Sequence, residues 1–142
     1  MYKSILLPVD LNQESSWKKT LPTAILMAQS LSIKLHVITV IPDYGMAVVG
    51  SFFPADYESE ALKVTQAALD EFVKEHLPAD LVASGTAVHG TIYKEIVSAA
   101  NTKGCDLILL ASHRPEMSDY LLGPNAARVV RHANQSVFVV RD

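Results

Sequence analysis

Four short runs of the chain are almost entirely apolar and show no alternation with polar residues. They lie at residues 4–10, 35–41, 106–111 and 136–141. A strand with this pattern is covered on both faces, as in a parallel sheet with helices above and below it. Residues 81–88 form a weaker run of the same kind. The pattern therefore predicts five strands, most of them buried.

Helical periodicity fills the intervals between the strands. Apolar residues recur at spacings of three and four within residues 15–31, 59–76, 91–104 and 125–132. Pro22 suits a first helical turn, so either Thr20 caps a shorter first helix or a longer helix kinks there. Thr91 can cap the third helix, and Gly104 can end it in the left-handed conformation. Residues 43–57 are rich in aromatic side chains, have no clear period and are predicted to form a loop.

The resulting order is βαβαβαβαβ. It predicts an α/β fold with an open, mostly parallel five-stranded sheet and helices on both faces. The chain has 142 residues, no repeat and no linker, so we expect one domain over residues 1–142. Ligands bind such sheets beyond the carboxyl ends of the strands, where the strand order reverses. This rule directs attention to residues 8–10, 37–41 and the segment that starts at residue 111.

Composition narrows the classes of function. The net charge is -3 and no run of lysine or arginine occurs, which disfavours nucleic-acid binding. The single cysteine, Cys105, excludes an internal disulfide framework and a multi-cysteine zinc site, and no histidines pair at metal-ligand spacing, so no metal-binding residue is expected. No apolar run approaches the roughly 18 residues of a membrane span, and no signal-peptide pattern opens the chain. We expect a cytoplasmic protein without a membrane partner.

The segment from residue 111 to residue 125 is the best candidate for chemistry. Ser112 offers a hydroxyl, Arg114 offers a guanidinium, and the segment leads into a helix N-terminus, a combination that suits phosphate. An ordinary polar loop between a strand and a helix has the same composition. Asp10 ends the first strand, where its carboxylate either accepts a hydrogen bond from a ribose or adenine edge or closes a turn.

Standard catalytic and nucleotide-binding motifs are absent from the sequence. It contains no P-loop, no G-x-G-x-x-G and no G-x-S-x-G elbow. His113 lies in the candidate segment, where it could transfer a proton or donate to phosphate. His36 lies in the middle of a strand and is interpreted as a core histidine, and Cys105 as a small buried residue. No catalytic residue is assigned.

Several segments together resemble the universal stress protein family. Pro8-Val9-Asp10 resembles the Pro-x-Asp that ends the first strand of that family. Ala111-Ser112-His113 resembles its Gly-Ser-His or Gly-Ser-Arg, and Leu121-Leu122-Gly123-Pro124-Asn125-Ala126 resembles its Leu-Leu-Gly-Ser. The resemblance covers nearly the whole chain and is closest to the enterobacterial F/G-like branch. It implies the open parallel sheet of that family, which is similar to the adenine-nucleotide alpha-hydrolase fold.

The resemblance also implies an adenine-nucleotide site that holds ATP or AMP, with Mg²⁺ accompanying the phosphates. Pro8, Val9 and Asp10 would flank the adenosine, and Val37 would contact the adenine through its backbone. The phosphate part of the site is carried over onto the segment around the following helix start: Ala111, Ser112, His113, Arg114, Gly123, Pro124, Asn125 and Ala126.

This chain departs from the motif Gly-x2-Gly-x9-Gly-Ser/Thr of the ATP-binding members. Ala111 and Arg114 replace the first two glycines, Pro124 replaces the Ser/Thr, and only eight residues separate Arg114 from Gly123. Pro124 removes a hydroxyl and an N–H from the phosphate cradle. Arg114 either restores positive charge or fills the site. Two functions stay open: a nucleotide-binding stress-response protein that changes its partner contacts, and a dimeric interaction module that binds no nucleotide.

The last strand, Ser136–Arg141, is short, apolar and terminal. We expect it at the edge of the sheet, where an uncovered strand promotes association. Pairing two copies about a twofold axis would cover both edges, and family members resemble this arrangement, so we expect a homodimer through this strand. No pattern of general base or activated nucleophile occurs, so we expect at most slow ATP hydrolysis or self-phosphorylation.

Overall fold

The computed structural model describes residues 1–42, 57–112 and 123–141. The chain alternates between strands and helices throughout these residues. In order they form β1 (Ser4–Pro8), a 3-10 turn (Glu14–Ser16), α1 (Thr20–Leu31), β2 (Lys34–Pro42), α2 (Tyr57–His76), β3 (Ala83–Gly90), α3 (Ile92–Lys103), β4 (Leu107–Ser112), α4 (Gly123–His132) and β5 (Ser136–Arg141). The predicted aromatic loop lies outside the described residues, except for Tyr57, which opens α2.

The five strands form one sheet in the order β3-β2-β1-β4-β5, and every pair of neighbours is parallel. The chain moves outward from β1 to β2 and β3 and then returns to the other side of β1 to form β4. The strand order therefore reverses between β1 and β4, which is where sheets of this class bind ligands. The prediction of an open parallel five-stranded sheet with helices on both faces is confirmed.

The sheet separates two hydrophobic cores. Ile5 and Leu7 of β1 point into the core beneath α1 and α2, together with Leu69 of α2. Leu6 points to the opposite face and packs with Ile96 of α3 in the core beneath α3 and α4. Because both faces of β1 are covered, its apolar residues need not alternate with polar ones, and the sequence pattern of a parallel strand follows.

The first helix is the shorter of the two predicted alternatives. α1 begins at Thr20, which is its first residue and not its cap, and the Thr20 hydroxyl donates to the carbonyl oxygen of Ser16 at 3.0 Å. This bond ties α1 to the 3-10 turn before it. Pro22 lies in the first turn of α1, where its missing N–H would have had no partner within the helix.

Gly104 ends α3 in the left-handed conformation, with a φ of 67°, as predicted. Its N–H faces the carbonyl oxygens of Ala100 and Asn101, which closes the last turn of the helix. β3 begins two residues later than predicted. A turn in which the N–H of Leu81 donates to the carbonyl oxygen of Pro78 precedes the strand.

Candidate functional site

The Ser16 hydroxyl fixes the turn that follows β1. It accepts the N–H of Asp10 at 2.8 Å and lies 3.0 and 2.7 Å from the carbonyl oxygens of Asp10 and Gln13. One residue earlier, the N–H of Val9 donates to the carbonyl oxygen of Ile38 at 2.8 Å. The backbone on both sides of Asp10 is therefore held, and the direction of the Asp10 side chain is set by the turn.

The carboxyl group of Asp10 is buried at the carboxyl end of β1, with 7% of the residue exposed. Its Oδ1 accepts the N–H of Asn12 at 3.0 Å, whereas its buried Oδ2 has no hydrogen-bond partner within the described part of the chain. Burial raises the pKa of Asp10, and the hydrogen bond from Asn12 opposes that rise. A buried acceptor without a donor is energetically unfavourable, so this oxygen is placed to accept a hydrogen bond from a ligand.

A narrow cleft, with a cavity volume of about 10 Å³, lies beside Asp10 on the α3 side of the sheet. The ends of β1 and β2 and the first turns of α3 supply its walls, which are Pro8, Val9, Asp10, Ile38, Val40, Ile92 and Ile96. Asp10 is the charged group among these otherwise apolar residues. Such a lining suits a flat, largely apolar ring that carries polar groups along one edge.

β2 extends beyond the end of β1. The two strands pair as far as Pro8 opposite Ile38, and among the strands that the structure describes, β2 then continues alongside β3 alone. Backbone groups of alternate residues in a strand point to the same side. Because Ile38 directs its carbonyl group toward β1, Val40 directs its N–H and C=O the same way, past the point where β1 has ended. The backbone of Val40 therefore faces the cleft.

Val37, which the resemblance assigned to the adenine, does not lie at the cleft. It sits in the middle of the sheet between Leu7 and Gly85, and its side chain is fully buried in the α1 and α2 core. Its backbone groups point toward β3, where the ladder uses them. On β2 it is the backbone of Val40 that turns toward the cleft, and the adenine contact itself stays a prediction. The apolar run at residues 35–41 already extends past Val37, so the sequence places the end of this strand beyond Val37.

β4 ends beside the turn that holds Asp10. Continuing the register of β1 and β4 brings Ser112 level with Asp10, and Ala111 lies one residue earlier. Ala111 is buried and Ser112 is half-buried. The next two residues, His113 and Arg114, lie outside the described residues, so their place at the phosphates stays a prediction.

α4 begins at Gly123 and packs against β4. In its first turn Pro124 is exposed, whereas Asn125 and Ala126 are buried. The helix returns antiparallel to β4, so its N-terminus lies at the same end of the sheet as Asp10. A helix N-terminus presents unpaired N–H groups and the positive end of the helix dipole, although Pro124 has no N–H to contribute.

His36 and Cys105 have structural surroundings, as interpreted from the sequence. The Nδ1 of His36 lies 2.5 Å from the hydroxyl oxygen of Ser84, and burial together with Lys103 and Lys34 lowers the pKa of His36. Burial raises the pKa of the Cys105 thiol, which makes it a poor nucleophile.

Neither a metal cluster nor a membrane helix occurs in residues 1–42, 57–112 and 123–141. No three His, Cys, Asp or Glu side chains of these segments converge as a metal site would require. Within the same segments, every helix is too short or too polar to cross a membrane.

The sequence model of the universal stress protein family matches residues 1–141. The chain belongs to the universal stress protein family. Universal stress protein G of Salmonella typhimurium is 30% identical to this universal stress protein over 146 residues, which cover 99% of this chain and 100% of that protein. This relative agrees with the enterobacterial branch to which the sequence motifs are closest.

Solved universal stress proteins share the fold described above. The structure of protein MJ0577 has a TM-score of 0.74 and 24% identity, and the match covers 100% of this chain and 97% of that one. A universal stress protein in complex with cAMP has a TM-score of 0.61 at 19% identity, with coverage of 99% and 97%. The Archaeoglobus fulgidus universal stress protein in complex with dAMP has a TM-score of 0.63 at 18% identity, with coverage of 97% of each chain.

Proposed function

We propose that this universal stress protein binds an adenine nucleotide, ATP or AMP, over the carboxyl ends of β1, β2 and β4. The observation that carries the proposal is the Asp10 carboxylate, which is buried at the point of strand-order reversal and whose Oδ2 has no hydrogen-bond partner among the described residues. Most buried acceptors in proteins have a donor, so a ligand that donates there would account for this one. The related structures that hold cAMP and dAMP support an adenine nucleotide as that ligand.

The polar groups of the cleft fit the two parts of an adenosine. Asp10 would accept a hydrogen bond from a ribose hydroxyl or from the adenine edge, and the Val40 backbone would offer one donor and one acceptor to the adenine edge. Ile92 and Ile96 would pack against the ring. The phosphates would then extend toward Ser112 and the N-terminus of α4, with Arg114 beside them. Mg²⁺ would accompany the phosphates and not occupy a site of its own.

The proposed role is nucleotide binding coupled to contacts with partner proteins in the stress response. The sequence contains no pattern of a general base or an activated nucleophile. Any ATP hydrolysis or self-phosphorylation should therefore be slow. The alternative function, an interaction module that binds no nucleotide, is favoured by one observation. Pro124 stands in the first turn of α4 and removes an N–H and a hydroxyl from the position where related ATP-binding members have Ser or Thr.

Mass spectrometry of the small molecules released from the purified, denatured protein tests the proposed function, together with calorimetric titration of ATP, AMP and adenosine. We expect an adenine nucleotide in the released fraction or saturable binding in the titration. If neither is found, the module that binds no nucleotide becomes the better account. A crystal structure with the nucleotide bound away from Asp10 and Val40 would contradict the proposed site, although it would still support nucleotide binding by the protein.

We also propose a homodimer through β5. This strand lies at the edge of the sheet, and its Phe138 is 43% exposed, while Val139 is half-buried. The outer edge of such a strand can pair with a second copy. Val139→Lys is expected to shift the protein toward monomers in light scattering, because a lysine would face its own symmetry mate. Val64→Lys, at an exposed valine of α2, is the matched control. A dimer mass that survives Val139→Lys would argue against this interface.

A further inference from the structure

The two layers of helices carry opposite charge. α2 has five acidic residues and two lysines, and α1 has no charged residue. On the other face of the sheet, α3 and α4 together carry four basic residues against the single acid Glu95. The basic residues are Lys94, Lys103, Arg128 and Arg131. The α3 and α4 face is therefore basic in a chain whose net charge is -3.

A groove of about 450 Å³ crosses this basic face beside α3. Its floor is uncharged and consists of Val97, Ser98, Asn101 and Thr102. The Oδ1 of Asn101 accepts a hydrogen bond from the Gln135 side chain at 2.7 Å. The NH₂ group of Asn101 could therefore donate a hydrogen bond to a partner. The floor thus combines an apolar side chain with hydrogen-bonding groups.

Two of the residues that line the groove, Tyr93 and His132, carry rings, and a cation lies over one of these rings. The rings of Tyr93 and His132 lie 5.3 Å apart between centroids, and the Arg128 guanidinium lies 5.6 Å from the Tyr93 centroid. The negative face of an aromatic ring attracts a guanidinium at this separation. Lys94 lines the same groove, and Arg131 shares a side of α4 with Arg128 because the two are three residues apart.

We propose that this groove docks an acidic segment of a partner protein. Carboxylates of the segment would meet Lys94, Arg128 and Arg131, and an apolar side chain would cover Tyr93 and Val97. The charge of the face matches an acidic peptide, and the groove has the volume for a few side chains. A nucleic acid fits less well, because the net charge of the whole protein repels a polyphosphate at long range. This inference rests on the proposed function in one respect: a protein that acts through partner contacts needs a surface for a partner, and the groove would be that surface.

Fluorescence anisotropy tests the groove with the full chain and no added nucleotide. The probe is a fluorescein-labelled synthetic peptide of glutamate, leucine and glycine, and the control peptide has lysine in place of every glutamate. We expect the acidic peptide to bind more tightly than the control and to weaken as salt is added. The double variant Arg128→Glu with Arg131→Glu should weaken binding by about tenfold or more, because two attractive charges become repulsive.

The matched control is Lys63→Glu with Lys74→Glu on α2, which changes the net charge equally on the opposite face and should alter binding by less than about twofold. Tyr93→Ala, which changes no charge, should also weaken the acidic peptide. Equal losses in both double variants, absence of binding, or tighter binding of oligouridine than of the acidic peptide would overturn the proposal. Because no nucleotide is present, failure of nucleotide binding would leave this result intact.

Discussion

Replacing Asp10 by alanine is expected to weaken ATP and adenosine binding by about 5- to 150-fold. The substitution removes a buried hydrogen bond and leaves a donor of the ligand buried without an acceptor. Asp10 lies on the adenosine side of the proposed site, so both ligands should lose the same factor. Calorimetric titration of the two ligands measures it. Asp80→Ala, at an exposed aspartate far along the chain, is the control.

Although removing the Asp10 carboxylate should weaken ligand binding, it should make the ligand-free protein more stable. Asp10→Asn keeps the oxygen that accepts the N–H of Asn12 and removes a buried charge whose Oδ2 has no partner in the described residues. We therefore expect the ligand-free Asn variant to melt at a higher temperature than the unchanged protein at neutral pH, by roughly the few degrees that 1 kcal/mol represents. A group that weakens the empty protein and strengthens the occupied one is typical of a binding site.

The pH dependence of this difference follows from the raised pKa of Asp10. Between the ordinary value of 3.8 in the unfolded chain and the higher value in the folded one, the native state binds more protons, so stability falls as pH rises through that window. The advantage of Asp10→Asn should accordingly be full above the window and disappear below it. A variant that is less stable than the unchanged protein at neutral pH would show that the carboxylate has a structural role instead.

The strands could be predicted because burial on both faces leaves a direct mark on the sequence. The run at residues 4–10 is apolar without alternation since Leu6 faces one core and Leu7 the other. Gly104 could be predicted as a helix end for a similarly local reason, because glycine adopts a φ of 67° without strain. Each of these features depends on residues that are neighbours in the sequence.

The position of Val40 could not be predicted in this way, because it depends on where two strands end relative to each other. The sequence shows a first strand and a longer second one, but not that Pro8 lies opposite Ile38. Within residues 1–42, 57–112 and 123–141, that register leaves the backbone of Val40 without a neighbouring strand on its β1 side. The role of Ser16 was missed for a related reason, since its hydroxyl acts on the backbone of Asp10 six residues away.

The basic face of α3 and α4 could not be predicted from the sequence for a different reason. Its charges are spread over two helices that are distant in the sequence and contain no run of lysine or arginine. The net charge of the whole chain also has the opposite sign. Only the packing of both helices on one face of the sheet brings Lys94 and Arg128 to the same surface, so counts along the chain could not identify it.

Arg114→Ala is expected to weaken ATP binding by about 10- to 150-fold, the range of a lost charge-assisted hydrogen bond. Arg114 stands two residues after Ser112, where the motif of related ATP-binding members has glycine. Residue 124 is a proline, so this position has no backbone N–H to donate to a phosphate. In the proposed site, a guanidinium would replace that donor and add positive charge near the N-terminus of α4.

Adenosine separates this reading of Arg114 from a general loss of structure. Because only the phosphates would feel the missing charge, Arg114→Ala should leave adenosine binding within about twofold, whereas Asp10→Ala weakens both ligands. Arg131→Ala, at the far end of α4, is the matched control for loss of one arginine. If Arg114 instead fills the phosphate position, its removal will tighten ATP binding. That result would mean that the unmodified chain excludes phosphate, and it would favour the interaction module that binds no nucleotide.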